Sequence, residues 1–321
     1  MKPYFYPAHL YLAKRRQKTH HNGPYLGQAF TVPREGLPGV RVRLYRPAEG
    51  GAAETAKKDA DKESASAPLL PVLFNVHGGG WIFGDAEDVD LQSQYLANHL
   101  QCCVVNMDYR LLDEHPFPYP QAETADAVCY FLAHAAAYGI DPARAALMGY
   151  SAGGHIAAGA AMLLRDRSVK LASQVLGYPF LNFIGFDCAA YSNFKGIAAV
   201  AFNRFARSVL FEEMAKETAL LSPANAAPAL LRGLAPAVIV SCGKNDPLLP
   251  QAEAYAQKLT EAGVKTVYRE FTAAEHGFLE HSFPDDPAVF AAEGEQDTLM
   301  REAVEFIRQQ NIFGTDETHG A

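Results

Sequence analysis

Gly149-Tyr150-Ser151-Ala152-Gly153 has the spacing in which a serine hydroxyl becomes a nucleophile. The residues before it, ARAALMGY (143–150), read as a strand, and SAGGHIAAGAAMLLRD (151–166) reads as a helix. A strand that runs directly into a helix needs a sharp turn. That turn holds the serine in strained backbone geometry and lifts its Oγ above the sheet, while small residues at 149 and 153 let strand and helix approach. The helix start adds unpaired amides and the positive end of a dipole. Two plainer readings compete: a glycine-rich structural turn and a phosphate loop. No GK[ST] follows and no GxGxxG is present here, which weighs against the second.

Acyl transfer at a serine passes through a tetrahedral oxyanion that needs N–H donors aimed at it. Ala152, directly after the serine, supplies one. His77-Gly78-Gly79-Gly80-Trp81 follows a near-continuous apolar run, LLPVLFNVH (69–77), and a glycine loop there lets backbone amides turn inward with no Cβ in the way. His77 itself reads as a structural histidine that holds the loop. The serine also needs a base, and the base an orienting carboxylate, in the chain order Ser, Asp or Glu, His. Asp246 follows the strand PAVIVSCG (236–243), and His276 follows KTVYREF (265–271). His155 and His281 are the rival histidines. His155 reads as a packing or surface residue of the helix after Ser151, and His281 lies far past the strand end. Glu270 and Glu275 are rival acids beside the base. N-capping of the next helix is the plainer role for Asp246, and both roles are compatible.

These residues have to be positioned by alternating elements. Strands are expected at 40–46, 69–77, 102–109, 143–150, 173–180, 236–243 and 265–271. Helices are expected at 88–101, 121–138, 151–166, 250–263 (stopping at Gly263) and 296–310. Such alternation implies an α/β fold with a mostly parallel sheet covered by helices on both faces. Two stretches break the rhythm. EGGAAETAKKDADKESASAP (49–68) reads as a mobile surface loop, and the aromatic segment 181–222 as a cap inserted over the site. With 321 residues, 49% of them hydrophobic, the chain is long enough for one large domain with a cap. The net charge of −8 argues against nucleic acid and against tight docking on anionic membranes. Five cysteines without CxxC or Cys/His spacing argue against a disulfide framework and a structural zinc. No signal peptide or membrane-spanning run is visible, so a soluble protein of the reducing cytoplasm is expected.

From about residue 70 to 310 the chain resembles the hormone-sensitive-lipase-like family of α/β-hydrolases, which includes many bacterial carboxylesterases. The resemblance rests on HGGGW (77–81), DYRLLDEHPFP (108–118), GYSAGG (149–154), NDPL (245–248) and HGF (276–278). It implies an α/β-hydrolase core in a single domain, with a helical cap made from about 1–25 and 181–222. It implies the triad Ser151, Asp246 and His276, with oxyanion donors at Gly79, Gly80 and Ala152, Gly78 being a further candidate. The activity implied is hydrolysis of short- to medium-chain carboxylic esters without cofactor or metal. A small-molecule ester is the partner, and homodimers are common in the family. Trp81, Phe180 and Phe183, with Phe186 and Phe202, are candidates for lining the substrate pocket or for packing the cap. Tyr150 stands where the family most often has Asp, and Pro250-Gln251 where a second acidic residue is common. Amide or peptide cleavage and deacetylation of sugars use the same chemistry and stay open. So does a non-catalytic receptor on this fold, although such receptors lose the histidine and His276 is present here.

Overall fold

The computed structural model describes residues 24–48, 68–112, 114–183, 219–243, 246–281 and 295–314. Its strands are β1 (Gln28–Arg34), β2 (Leu37–Tyr45), β3 (Leu70–Val76), β4 (Cys103–Asp108), β5 (Ile140–Tyr150), β6 (Ser173–Gly177), β7 (Ala237–Cys242) and β8 (Thr266–Phe271). The helices are α1 (Asp90–Leu100), α2 (Tyr119–Ala133), α3 (Ala152–Asp166), α4 (Pro228–Leu231), α5 (Leu249–Glu261), α6 (Phe278–His281) and α7 (Glu295–Gln309).

The strands form one sheet in the order β1-β2-β4-β3-β5-β6-β7-β8. From β4 to β8 every pairing is parallel, while β1–β2 and β2–β4 are antiparallel. β6 and β7 are buried along their whole length and β3 over its last five residues. This is why these strands read as near-continuous apolar runs: helices cover both faces. One face packs on α2, α3 and α5, and the other on α1 and α7. β2 instead alternates, with Val40 and Val42 inward and Arg41 outward. Successive strands step from β3 out to β4, then return to the other side of β3 at β5. The carboxyl ends of β3 and β5 therefore flank the point where strand order reverses, the place where α/β sheets leave a crevice.

The architecture agrees with the expected α/β-hydrolase fold. β1 has no counterpart in the sequence reading. It is an edge strand containing Pro33, with Val32 the one buried residue and Phe30 half-buried, so its alternation is short and its apolar signal weak. The strand expected at 173–180 ends at Gly177, because Tyr178 takes a φ of 32° and Pro179 follows. The helix expected at 121–138 is α2 followed by a separate 3₁₀ turn, Ala135–Tyr138. The cap segments 1–25 and 181–222 and the loop 49–68 lie outside the described residues except for 24–25, 68, 181–183 and 219–222. Among the described residues no helix is long and apolar enough to cross a membrane.

Candidate active site

β5 ends at Tyr150 and α3 starts at Ala152, so Ser151 alone makes the turn, with φ 52° and ψ −117°. Such a conformation costs about 1–3 kcal/mol and persists only where the surroundings enforce it. Here they do. Ser151 N–H donates to Gly177 O at 2.9 Å, and Ser151 O accepts from Phe180 N–H at 3.0 Å. The flanking glycines are steric requirements: a Cβ on Gly149 would sit 2.2 Å from Gly153 O, and one on Gly153 2.2 Å from Val76 O.

His276 reaches Ser151 from the loop after β8, and Asp246 reaches His276 from the loop after β7. Nε2 of His276 lies 3.0 Å from Ser151 Oγ, and Nδ1 lies 2.9 Å from Asp246 Oδ2. A carboxylate only accepts, so Nδ1 carries the proton and Nε2 presents its lone pair to the serine hydroxyl. The Asp246 side chain is nearly sealed from solvent, at 2% exposure against 26% for His276. Its other oxygen accepts Leu248 N–H at 2.9 Å. That bond closes a turn ahead of α5, whose own N-cap is Leu248 and has no side-chain cap bond. The capping role expected for Asp246 is thus a turn bond one step earlier. Glu275 is exposed, and its amide is tied to Gln296.

Beneath this relay Cys242 donates its S–H to Glu275 O at 3.3 Å. Burial first, then the neighbouring Asp246 charge, push its thiol up. Ligand atoms of Cys242, Asp246 and His276 lie within 4.8 Å of one another, the spacing of a metal-binding group. The Nδ1 of His276 is already committed to Asp246 there.

The glycine loop leaves β3 at His77. Gly79, Gly80 and Trp81 have φ of 105°, 61° and 63°, and Gly79 O accepts Phe83 N–H at 2.9 Å to close the turn. A Cβ on Gly79 would lie 2.1 Å from Phe83 O. Among the described residues, the amides of Gly79, Gly80 and Ala152 donate to no backbone carbonyl outside regular elements. Gly78 is a correction: its N–H donates to Glu280 Oε1 at 2.6 Å, which removes it from the candidate donors. His77 is buried, with Nδ1 2.8 Å from Gly78 O and its ring stacked on Tyr109 at 4.3 Å. Tyr109 donates its hydroxyl toward both His77 O and Gly78 O at 3.1 Å. Leu112 N–H reaches Trp81 O at 2.9 Å, and Arg110 is anchored on buried Glu123. The proline-rich segment 108–118 thus buttresses the glycine loop.

Trp81, Phe180 and Phe183 come together. Trp81 meets Phe180 edge-on at 4.9 Å and lies 5.2 Å from Phe183. The first two are buried and Phe183 is half-buried. Phe186 and Phe202 lie outside the described residues. Trp81 Nε1–H donates to His155 Nδ1 at 3.2 Å, while His155 Nε2 faces Leu220 O at 2.9 Å and Leu221 O at 3.1 Å. His155 is fully buried, so the surface alternative falls away. Burial lowers its pKa to about 4 despite those carbonyls. His281 closes α6.

Two roles had no sequence signal. Glu280, buried, accepts Gly78 N–H and, through Oε2, the Tyr178 hydroxyl at 3.2 Å. Tyr150 points into the α1/α7 side of the core, its hydroxyl 3.2 Å from Met148 Sδ. Burial, then the charge of Glu280, push that phenol up.

A family model described as alpha/beta hydrolase fold matches residues 73–280. The chain belongs to the hormone-sensitive-lipase-like family of α/β-hydrolases. It is 32% identical over 259 residues to a carboxylesterase of Mycobacterium tuberculosis, covering 78% of this chain and 74% of that one. It is 40% identical over 175 residues to arylacetamide deacetylase of Oryctolagus cuniculus, covering 52% of this chain and 40% of that one. Among solved structures, an esterase of Pyrobaculum calidifontis superposes with a TM-score of 0.70 at 29% identity, covering 96% of this chain and 90% of that one.

Proposed function

We propose that this carboxylic ester hydrolase cleaves short- to medium-chain esters through an acyl-enzyme on Ser151. The observation that carries the reading is the relay Ser151 Oγ–His276 Nε2 at 3.0 Å and His276 Nδ1–Asp246 Oδ2 at 2.9 Å. Ser151 Oγ attacks the ester carbonyl while Nε2 takes its proton. Asp246 keeps the ring oriented and stabilises the imidazolium. The carbonyl oxygen becomes an oxyanion facing the amides of Gly79, Gly80 and Ala152, near the positive end of α3. Collapse breaks the ester C–O bond, and the alcohol leaves with the proton from Nε2. Water then attacks the acyl carbonyl, giving its proton to Nε2, and the acid is released as Ser151 Oγ regains that proton.

Trp81, Phe180 and Phe183 supply an apolar wall beside the serine for the acyl or alcohol group. A reducing, cytoplasmic setting belongs to the same proposal and is supported by the unpaired thiols of Cys102, Cys103, Cys129 and Cys242.

The test is Ser151→Ala assayed on p-nitrophenyl acetate and butyrate, with fluorophosphonate labelling of the parent enzyme. Turnover should vanish and the label should map to Ser151; full turnover in the variant refutes the mechanism. The similarity to an arylacetamide deacetylase favours a second reading, an amide leaving group at the same serine. Matched aryl ester and anilide substrates decide between them by relative kcat/KM.

A further inference from the structure

We infer that Glu280 is a positioning residue for the oxyanion loop: its buried carboxylate sets the orientation of the amides that receive the developing charge. The inference rests on the acyl-enzyme reading of Ser151.

Glu280 sits in α6, four residues after His276, and only 6% of it is exposed. Each carboxylate oxygen has a partner from a different loop. Oε1 accepts Gly78 N–H at 2.6 Å, and Oε2 accepts the Tyr178 hydroxyl at 3.2 Å. Gly78 opens the turn that presents Gly79 and Gly80. Tyr178 follows β6, two residues before Phe180, and its ring lies 4.9 Å from the His276 ring. One side chain therefore ties together the loops that follow β3, β6 and β8. The approach is close: a Cβ at 78 would lie 2.9 Å from Oε2 and 3.0 Å from Oε1, so a larger residue there would displace the carboxylate.

The anchor is itself held from behind. Gln92 Nε2 donates to the carbonyl of Leu279, the residue before Glu280, and Gln92 Oε1 accepts from Asn75 at 3.3 Å. All these side chains are buried. A charge-assisted bond in such surroundings is short and directional. It fixes the peptide plane that starts the turn. The oxyanion gains from donors whose orientation is set before charge develops, because reorienting them during the reaction would consume the stabilisation they offer. A role confined to stability would leave transition-state affinity intact in the folded variant, so the two are separable by experiment.

Glu280→Ala, Glu280→Asp and Glu280→Gln are compared with the parent enzyme on p-nitrophenyl butyrate, with a trifluoromethyl ketone as transition-state analogue and thermal unfolding as a check on folding. Glu280→Ala should lower kcat by about 10–100-fold, with KM changed by less than about threefold and ketone affinity falling in parallel with kcat. Glu280→Asp, which withdraws the acceptor by one methylene, carries the same prediction in smaller measure if the alanine variant fails to fold. Glu280→Gln keeps an oxygen for Gly78 N–H and should recover most of kcat. Parental kcat and ketone affinity in folded Glu280→Ala or Glu280→Asp overturn the inference, as does a glutamine variant no better than alanine. Fluorophosphonate labelling of the parent enzyme reports separately on the nucleophile. A parent that does not label refutes the acyl-enzyme reading itself, whereas a labelled parent with unaffected Glu280 variants refutes only the positioning role.

Discussion

His155 makes folding stability depend on pH in a way that one substitution isolates. Its Nδ1 lone pair faces two donors, Trp81 Nε1–H at 3.2 Å and Gln121 Nε2 at 3.3 Å. Its Nε2 faces the carbonyls of Leu220 and Leu221, so the neutral ring with its proton on Nε2 satisfies every partner. A second proton would fall on Nδ1 and point at donors. Burial accordingly takes the pKa from 6.5 to about 4. In the unfolded chain the ring titrates near its ordinary value, so between those two pH values the unfolded state binds more protons than the native one. Stability from this group is complete above pH 6.5 and is lost as pH falls toward 4. Linkage across those limits gives about 2 kcal/mol lost between pH 7.5 and pH 5. Asp108 acts in the opposite sense. Burial raises its carboxyl from 3.8 to about 7, so the native state takes up a proton that the unfolded chain does not, and stability from that group grows as pH falls. The two contributions overlap in the parent curve and separate only in a difference. His155→Gln retains an acceptor for Trp81 and a donor for the carbonyls and does not titrate. Urea unfolding at pH 7.5 and pH 5 can be followed by the fluorescence of Trp81, the one tryptophan of the chain, which touches residue 155. The parent should lose about 2 kcal/mol more than the variant between the two pH values. Equal changes in both proteins, within about 0.5 kcal/mol, would refute the buried neutral histidine.

Asp246→Asn offers His276 Nδ1 an amide in place of a carboxylate and permits the wrong tautomer, so kcat should fall by about 10⁴ with the fold intact, read from steady-state kinetics and circular dichroism. Gly79→Ala places a Cβ 2.1 Å from Phe83 O at a φ of 105°, so the turn must shift. Its kcat on p-nitrophenyl butyrate should fall by about 10²–10³, the usual effect of removing an oxyanion donor, and parental kcat would contradict the assigned donor.

The parts of this site that sequence made legible are those whose geometry is demanded within a few residues. The elbow at 149–153 needs small residues beside a serine at positive φ, and the loop at 77–81 needs glycines where Gly79 and Gly80 take positive φ. Those requirements are local, so they leave a local pattern. The inner strands were equally readable, because burial on both faces favours apolar residues, with few polar exceptions such as Asn75 and Asn106. β1 was not, since an edge strand with Pro33 is held by its pairing to β2 and carries little apolar signal of its own.

The long-range partnerships had weaker warrants in the chain. Asp246 and His276 were nominated by their order and their place after strands. Sequence alone left Glu270 and Glu275 as rival acids and His155 and His281 as rival bases, and the side-chain distances bring His276 to Ser151 across 125 residues and Asp246 to His276. Gly78 is indistinguishable from its neighbours in the string HGGGW, yet a carboxylate 202 residues away claims its amide. His155 reads as an ordinary helix residue until Leu220 and Leu221 are folded over it. Sequence by itself therefore determined the local turns, the layered α/β architecture and the nominated triad. Tertiary structure decided which glycine amide is spent on Glu280, which histidine is sealed neutral and which carboxylate meets His276. The reason is physical: backbone strain and burial period are properties of a short segment, whereas a hydrogen-bond partner is chosen by whichever strand the sheet order sets alongside.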